Sequence, residues 1–214
     1  MEKPHLDITF VSDVACPWCA IGLASIDKAL GNIAGDIDAN ITVEPFELNP
    51  DMGPEGANVM DYITKKYGRT KEQIGVVQAR IRQRGAEAGF TFGPRDHIWN
   101  TFDAHRMLHW AQLEGKGAEL KRALLKAYHG EGRNPAARDV LVEAAASVGL
   151  DAARAKAIAE SNEFADEVRA REGHWRRMGV SGVPFIVIND KYAIEGGQPP
   201  ETFEQAFRQI AAEK

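Results

Sequence analysis

Two cysteines, Cys16 and Cys19, are the only thiols in the 214-residue chain, and only Pro17 and Trp18 separate them. They follow an apolar, β-branched stretch that predicts a strand over residues 6–11. Proline is typical of the first position of a helix, so a helix is predicted to begin at Pro17. Two cysteines at this spacing can form a redox-active disulfide or share a metal ion. The spacing therefore predicts thiol chemistry at the start of a helix.

The two thiols are expected to differ, because a helix N-terminus acts on the nearer one. Cys16 is predicted to be the N-cap residue, where unpaired N–H groups and the helix dipole stabilise a negative charge. This lowers a thiol pKa from about 8.5 toward neutrality, and the thiolate is the attacking form. Cys16 is therefore the candidate nucleophile. Cys19, one helical turn further on and covered by the fold, is the candidate resolving thiol.

Three structural roles compete with redox chemistry for this pair. An inert buried pair is disfavoured, because proline and tryptophan at a helix start are not typical of core packing. Structural zinc needs four ligands, and no second Cys-x-x-Cys or close histidine pair follows at the required spacing. A static disulfide would close too short a loop to add much stability. His105 and His109 lie four residues apart but lack a third ligand in register, so no metal site is predicted.

Charge and hydropathy exclude several classes of partner. With 31 acidic and 26 basic residues the chain has a formal net charge of −5, so it has no basic excess to neutralise nucleic-acid phosphates or an anionic membrane. No apolar run approaches membrane-spanning length, and residues 1–5 show no apolar leader. We expect a cytoplasmic protein that binds neither nucleic acid nor membrane. In that compartment a lone Cys-x-x-Cys is more often catalytic or metal-binding than structural. The oligomeric state leaves no trace in the sequence.

The elements around the cysteines predict an α/β fold. The strand over 6–11, a helix that ends near the stop signal Gly31-Asn32, and a strand over 41–48 suit a parallel pair with a right-handed crossover. After a Gly/Pro-rich loop over 49–56, amphipathic helices are predicted at 59–67, 71–89, 101–113, 120–128, 135–148, a short one from 151, and 161–178. Strands return at 183–188 and 192–194, before a final helix over 200–211.

The helix predicted over 161–178 carries interleaved charges: Arg169, Arg171, Arg176 and Arg177 with Glu167 and Glu172. Mixed charges at this spacing are typical of a helix face in solvent. A phosphate-binding role there is disfavoured for the same reason.

Pro184 is the second informative residue, because it stands at the entry to the strand predicted over 183–188. Proline cannot donate to a sheet ladder, so it belongs at an edge, at a bulge or in a cis peptide bond. Gly179 and Gly182 precede it and indicate a close backbone approach. A simple turn before an edge strand is the alternative.

Together the Cys16-to-Cys19 motif and Gly182-Val183-Pro184 resemble the thioredoxin superfamily, and the helical segment between them resembles the DsbA branch. Within that branch the chain is similar to the FrnE-like subfamily in Ser12-Asp13, Ile21-Gly22, residues 45–50, Asn100-Thr101, Ala104-His105 and residues 196–199. The resemblance implies an α/β, thioredoxin-like domain formed by residues 1–53 and 179–214. An all-helical insertion domain over residues 54–178 would interrupt it.

The resemblance also implies roles for individual residues. Cys16 matches the nucleophile and Cys19 the resolving cysteine. Val183-Pro184 matches a cis-proline turn that lies against the thiols, where the backbone of Val183 would hold an extended substrate by strand-like hydrogen bonds. Trp18 is a candidate for the substrate surface, with packing against a helix as the alternative.

The helix that begins near Asn100 should face the active site in this subfamily. Asn100 and His105 are therefore candidate contacts to substrate or glutathione, with helix capping and a hydrogen-bonded histidine as the alternative. Two departures from the subfamily affect the wall near the thiols. Ala20 stands where relatives usually have an aromatic residue, and Tyr128-His129-Gly130 stands where they usually show a second one.

Three functions follow as hypotheses. The first is a thiol-disulfide oxidoreductase or isomerase that acts on a disulfide- or thiol-containing protein or small molecule, with no tightly bound cofactor and with glutathione as a candidate co-substrate. The second is a glutathione-dependent isomerase or transferase like 2-hydroxychromene-2-carboxylate isomerase and the kappa-class transferases. Those relatives generally carry serine in place of the first cysteine, which favours redox chemistry here. The third is a metal-binding or interaction module.

Overall fold

The computed structural model describes residues 3–213. Met1, Glu2 and Lys214 lie outside the described residues, and with them the outermost ends of the predicted domain segments 1–53 and 179–214. The strands of the described chain are β1 His5–Ser12, β2 Asp38–Pro45, β3 Ala57–Asn58, β4 His97–Ile98, β5 Phe185–Ile188 and β6 Tyr192–Glu195. Its α-helices are α1 Pro17–Ile33, α2 Val59–Tyr67, α3 Lys71–Ala88, α4 Phe102–Leu113, α5 Gly117–Leu125, α6 Arg138–Ser147, α7 Ala152–Ala159, α8 Ala165–Arg177 and α9 Pro200–Ala212.

The main sheet has four strands in the order β2-β1-β5-β6. Strand β1 pairs with β2 in parallel and with β5 antiparallel, so that Thr9 lies between Thr42 and Val187. Parallel neighbours need a crossover, and α1 supplies it. Leu6, Ile8 and Phe10 of β1 are buried while His5 and Asp7 are exposed, and from Phe10 to Ser12 every residue of the strand is buried. The α/β fold and the parallel first pair predicted from the sequence are confirmed.

Helix α1 is longer than its stop signal predicted. It continues through Gly31 and Asn32 to Ile33, which is fully buried in the same apolar cluster as Ile210 of α9. Burial of an aliphatic side chain is worth about 1.5–3 kcal/mol, which exceeds the cost of about 1 kcal/mol for glycine in a helix. Packing against α9 therefore decides where α1 ends.

The segment between the two parts of the main sheet is not purely helical, which corrects one prediction. Strands β3 and β4 form a separate two-stranded antiparallel sheet within it. The helix predicted over 120–128 is α5 followed by a π-helical turn, Lys126–Gly130. Helix α8 begins only at Ala165, because Phe164 adopts a left-handed conformation with φ of 65°.

The prediction of a solvated face on α8 holds for its arginines and Glu167, which are exposed, but was wrong for Glu172. Glu172 is fully buried, and its carboxylate accepts a hydrogen bond from the backbone N–H of Glu47 (3.1 Å). Arg169 forms ion pairs with both Glu47 and Glu172, and Arg171 pairs with Glu44 on β2. Interleaved charges are therefore used here to attach α8 to β2 and the segment after it.

The cysteine motif lies where two apolar clusters meet. The first joins the main sheet, α1 and α9, and it contains both Cys16 and Cys19. The second is built from α4 to α7 and includes Val14 and Ala15, immediately before the motif. The thiol pair is thus supported from both sides. Among the helices of residues 3–213, none combines the length and apolar composition that crossing a membrane requires.

Candidate active site

Cys16 is the N-cap residue of α1, with φ of −86° and ψ of 116°, and Pro17 occupies the first helical turn as predicted. The backbone N–H of Cys16 donates to the carbonyl oxygen of Asp13 (3.3 Å), and that of Cys19 donates to the carbonyl oxygen of Cys16 (3.1 Å). Both cysteines are free thiols. Cys16 is 4% exposed and Cys19 is fully buried, so any external reactant meets Cys16 first.

The two thiols differ in acidity. A hydrogen bond from the Cys19 thiol lowers the pKa of Cys16, and the backbone N–H groups of Trp18 and Cys19 act in the same direction. Burial raises the pKa of Cys19 well above its ordinary value, and its hydrogen bond to Cys16 raises it further. Of the two thiols, Cys16 is therefore the one that ionises more readily, in the direction that N-capping predicted, whereas the raised pKa of Cys19 favours its protonated form.

The Val183–Pro184 peptide bond is cis, and the turn that contains it lies against the thiol pair. The Cys16 thiol donates to the carbonyl oxygen of Val183 over 3.4 Å. This approach needs a glycine on α1, since a Cβ atom at Gly22 would lie 3.1 Å from Cγ of Pro184. A shallow groove of about 230 Å³ runs along residues 179–185, beside Glu195 and Gly196.

A second cavity, of about 260 Å³, opens directly on Cys16. Pro17 and Trp18 form its floor together with Cys16, and α2 and α3 form the opposite wall. Apolar and aromatic side chains make up most of that wall: Tyr62, Ile63, Tyr67, Ile74, Val77 and Ile81. Arg69 and Arg95 also line the cavity, so an apolar body with an anionic group would suit it.

Arg95 is fixed close to the motif. It donates to the carbonyl oxygen of Ala15 (3.4 Å) and to the hydroxyl of Tyr128 (3.1 Å), over whose ring it also lies. The Tyr128 hydroxyl in turn donates to the carbonyl oxygen of His97 (3.0 Å). One positive charge is therefore held beside the residue that precedes Cys16.

Asp13, three residues before Cys16, is a buried hydrogen-bond acceptor beside the cysteine motif. Its buried carboxylate accepts hydrogen bonds from the N–H groups of Leu48 (2.7 Å) and Ala15 (3.1 Å) and from the hydroxyl of Thr101 (2.7 Å), and His105 lies 3.4 Å away. Burial alone would raise the pKa of this carboxyl, but the contacts to His105, Leu48 and Thr101 outweigh it and lower the pKa to about 2. The carboxylate is charged at any ordinary pH and ties the Cys16 loop to α4.

Of the predicted substrate contacts, Trp18 lines the cavity that opens on Cys16 and Val183, next to Pro184, accepts the hydrogen bond of its thiol, whereas Asn100 and His105 have partners elsewhere. Trp18 is half-buried, lines the cavity and packs on the apolar cluster of the main sheet. Asn100 donates to the carbonyl oxygen of Met52 (3.0 Å) and accepts from the N–H of Phe102 (2.8 Å). Asn100 and His105 are both outside the cavity that opens on Cys16.

The structure also shows where the two departures from the subfamily pattern, Ala20 and Tyr128-His129-Gly130, lie. Ala20 is buried under the first turn of α1. His129 donates through Nε2 to the carbonyl oxygen of Val14 (2.8 Å), and burial lowers its pKa well below the ordinary value, which keeps the ring neutral. With Tyr128 it supports the loop before the motif instead of lining the cavity beside Cys16.

Sequence reasoning missed Asp13 as a support, Tyr62 and Arg95 as cavity residues, and Lys121. Lys121 is fully buried. No local signal marked it, because a lysine next to Leu120 in an amphipathic helix has the same pattern whether it faces water or the interior. Across residues 3–213 no three His, Cys, Asp or Glu side chains come together as metal ligands would.

The chain is similar to known proteins over nearly its whole length. The DSBA-like thioredoxin domain family matches residues 7–208. YwbO of Bacillus subtilis (strain 168), described as uncharacterized, is 28% identical over 202 residues, which are 94% of this chain and 94% of YwbO.

Two solved structures share the fold. The probable DsbA oxidoreductase SCO1869 from Streptomyces coelicolor has a TM-score of 0.87 at 33% sequence identity, covering 98% of this chain and 92% of that one. A 2-hydroxychromene-2-carboxylate isomerase has a TM-score of 0.73 at 13% identity, covering 95% of each chain, which is a likeness of fold alone. The predicted thioredoxin-like fold of the DsbA branch is confirmed.

Proposed function

The chain belongs to the DSBA-like thioredoxin domain family, and from that membership we propose that it is a thiol-disulfide oxidoreductase that uses Cys16 and Cys19. The observation that carries the proposal is the asymmetry of the two thiols. Cys16 opens on a cavity and has a lowered pKa, whereas Cys19 lies fully buried beneath it with a raised pKa. Attack by one thiol followed by resolution by the other requires this difference.

The proposed reaction has two exchanges. The Cys16 thiolate attacks one sulfur of a substrate disulfide, which forms a mixed disulfide and expels the other sulfur as a thiolate. Cys19 then attacks the Cys16 sulfur, which forms the Cys16–Cys19 disulfide and expels the second substrate thiolate. Two electrons pass from the dithiol to the substrate, and the same steps in reverse oxidise a dithiol substrate.

Substrate would be held on two sides of Cys16. We assign the backbone of Val183, next to Pro184, to an extended segment of substrate, because Val183 both lines the groove along residues 179–185 and accepts the hydrogen bond of the Cys16 thiol. Trp18 and the cavity wall would hold an apolar group. His105 is assigned to support of the Cys16 loop through Asp13, and Asn100 to capping of α4 and to holding the loop at Met52.

Glutathione is proposed as the co-substrate that restores the dithiol, and the cytoplasm as the compartment. Both proposals come from the sequence, and cell fractionation tests the second.

We also propose the division into a domain of residues 1–53 and 179–214 and an insertion of residues 54–178. It is supported by the main sheet, whose described strands all come from the first two segments.

A glutathione-dependent isomerase or transferase is the second candidate. The observation that favours it is the largely apolar cavity of about 260 Å³ beside Cys16, because concave apolar sites with a few polar groups typically bind small molecules. In such an enzyme Cys16 would bind or activate glutathione and Cys19 would take no part in the reaction.

A redox titration separates the two candidates. The purified protein is equilibrated at a series of ratios of reduced to oxidised glutathione and alkylated, and the state of both cysteines is read by intact mass. We expect a reversible loss of two hydrogens that is abolished in Cys16→Ser and in Cys19→Ser. The midpoint ratio then shows whether the pair acts as an oxidant or as a reductant. If Cys19 never pairs and glutathione only adds to Cys16, the second candidate replaces the first.

A further inference from the structure

The cavity that opens on Cys16 has the opposite charge to the chain as a whole. Among the described residues that line it, Arg69 and Arg95 are charged and none is an Asp or a Glu. The whole chain, by contrast, has a formal net charge of −5. A local excess of positive charge in a concave site raises the concentration of anions there. The lining therefore favours a negatively charged occupant.

The two arginines are not neutralised by the rest of the fold. Among residues 3–213 no carboxylate forms an ion pair with Arg69 or Arg95, whereas Arg122 is paired with Asp27 through two hydrogen bonds. The described hydrogen bonds of Arg95 both use Nη1 and both reach neutral oxygens. A guanidinium group presents parallel N–H donors that match a carboxylate. Both side chains can therefore bind an anionic group of a ligand.

The wall opposite Cys16 is apolar, and the protein itself leaves much of it uncovered. Val59 is the buried residue of α2, while Tyr62, Ile63 and Tyr67 of the same helix line the cavity. The Tyr67 side chain is 56% exposed. Aromatic rings around a concave site gain free energy when an apolar or aromatic group packs against them. This wall therefore suits a ligand with an aromatic body.

Hydrogen bonds at Asn49 hold α2 over the cavity. The Tyr62 hydroxyl (2.8 Å) and Nζ of Lys66 (2.6 Å) both donate to the side-chain oxygen of Asn49, and Nζ of Lys66 also donates to the carbonyl oxygen of Leu48 (2.9 Å). The wall is thereby attached to the loop after β2. The enclosed volume of about 260 Å³ is near the lower end of the range for small-molecule sites, about 300–1,000 Å³. The occupant is therefore small.

We propose that the substrate is a small disulfide that carries a carboxylate on an aromatic body. This inference rests on the proposed function, whose substrate class it names. The Cys16 thiolate attacks the sulfur attached to that body, so that a Cys16–sulfur bond forms, the substrate disulfide bond breaks and the other half leaves as a thiolate. In the mixed disulfide the aromatic body packs between Trp18 and the wall formed by α2 and α3. Its carboxylate accepts hydrogen bonds from Arg69 and Arg95.

A competing role for the two arginines is to stabilise the Cys16 thiolate. The groups that lower the pKa of Cys16 are the Cys19 thiol and the backbone N–H groups of Trp18 and Cys19. The two roles predict different results. Stabilisation of the thiolate affects attack on every disulfide, whereas recognition of a carboxylate affects attack only on disulfides that carry one.

The test therefore compares two small aromatic disulfides that differ in charge. Ellman's reagent carries a carboxylate on each ring, and 2,2′-dithiodipyridine carries none. Each is mixed with the reduced protein at pH 7, and the first release of thiolate, which reports attack by Cys16, is followed by absorbance. Arg69→Met and Arg95→Met each remove one charge from the cavity. Arg80→Met is the matched control, because Arg80 is exposed on α3 and does not line the cavity.

We expect the rate with Ellman's reagent to fall about tenfold in Arg95→Met and about fivefold in Arg69→Met, because each loses a charged hydrogen-bond donor to the carboxylate. The rate with 2,2′-dithiodipyridine should stay within about twofold of the wild type. Arg80→Met should match the wild type with both reagents. Added salt should slow the wild type with Ellman's reagent, whereas screening of the net charge of −5 alone would speed it.

Tyr67→Ala tests the aromatic part of the proposal. It should slow attack on Ellman's reagent about fivefold and leave attack on 3,3′-dithiodipropionate, which is anionic but aliphatic, unchanged. Formation of the mixed disulfide with dithiodipropionate is followed by intact mass. Val76→Ala is the matched control, because Val76 is also exposed but lies outside the cavity. Equal slowing with the two reagents would contradict an aromatic body.

Equal effects of the arginine substitutions on both aromatic reagents would overturn the inference and assign the arginines to Cys16. Unchanged rates, or a wild-type rate with Ellman's reagent that rises with salt, would also overturn it. Total thiolate release tests the proposed function separately: release of a second thiolate shows that Cys19 resolves the mixed disulfide, and its absence contradicts that function. Should Arg95→Met not fold, Arg69→Met decides, because Arg69 makes no hydrogen bond among the described residues that folding would lose.

Discussion

The Cys16 thiol donates a hydrogen bond to the carbonyl oxygen of Val183, 167 residues further along the chain, over 3.4 Å. This contact joins the helix N-terminus that activates Cys16 to the turn that is proposed to receive substrate. The site therefore needs both the start of α1, which carries Cys16, and the turn before β5, which carries Val183. Once Cys16 is a thiolate it can no longer donate, so the Val183 carbonyl oxygen loses this donor.

Alkylation kinetics should reveal the unequal thiols. In the wild type, the rate of iodoacetamide reaction at Cys16 should follow an ionisation below about 8.5, because the helix N-terminus and the Cys19 thiol stabilise the thiolate. Cys19→Ala removes that thiol and should move the midpoint to higher pH. Cys16→Ser should remain almost unalkylated under native conditions. An unchanged midpoint in Cys19→Ala would show that the hydrogen bond does not set the acidity.

Two glycines of α1 provide a matched pair of substitutions. Gly22→Ala places a Cβ atom 3.1 Å from Cγ of Pro184, so the turn must move by a few tenths of an ångström. We expect kcat/KM for a small disulfide to fall about tenfold, because exchange depends on alignment at Cys16. Gly31→Ala meets nothing within 4 Å; it should leave kcat/KM unchanged and stabilise the protein by about 0.5–1 kcal/mol. Equal effects of the two substitutions on kcat/KM would contradict this.

Asp13 should contribute to the free energy of unfolding in a way that depends on pH. Its pKa falls from 3.8 to about 2 on folding, which at about 1.4 kcal/mol per pH unit is worth about 2 kcal/mol. Because the folded-state pKa is the lower one, this stability is present above about pH 4 and is lost as the pH falls toward 2. Asp13→Asn should therefore be destabilised at pH 7, and its deficit relative to the wild type should shrink in acid. Denaturant titrations at pH 7 and pH 3 measure the difference.

Arg169 should offset the repulsion between the carboxylates of Glu47 and Glu172, with both of which it forms ion pairs. Burial and the charge of Glu172 raise the pKa of Glu47, so ionised Glu47 destabilises the fold above its folded-state pKa, and that penalty disappears as the pH falls. Arg169→Met should cost about 2 kcal/mol at pH 7.5 and less near pH 5.

Arg177 provides the control for this experiment. It is exposed on the same helix, and Arg177→Met should change the unfolding free energy by less than about 0.5 kcal/mol. A deficit of Arg169→Met that is the same at both pH values would rule out the carboxylate pair as its cause.

Trp18 and Asn100 should separate substrate binding from support. Trp18→Ala removes part of the cavity floor and should raise KM for an aromatic disulfide about tenfold with little change in kcat. Asn100→Ala loses the hydrogen bonds to Met52 and Phe102 and should cost about 1 kcal/mol of stability with KM unchanged. A raised KM in Asn100→Ala would restore the sequence-based assignment of this residue to substrate binding.

The sequence by itself determined the local parts of this protein. Periodicity, proline and glycine positions, and the spacing of Cys16 and Cys19 were enough for the main strands, for the helix that begins at Pro17 and for the position of Cys16 at its N-cap. These features depend on backbone preferences and on contacts between residues within a turn or two of each other, so the local sequence is enough to predict them.

Only the tertiary structure decided what surrounds the thiols. The pairing of Asp13 with Thr101 and the burial of Glu172 depend on which distant elements pack together. The same is true of Lys121, whose side chain is fully buried in the folded protein. A charged residue in a helix has the same local pattern whether it faces water or a buried partner. Its burial, and therefore its pKa and its chemistry, is set by packing between elements that the local pattern does not contain.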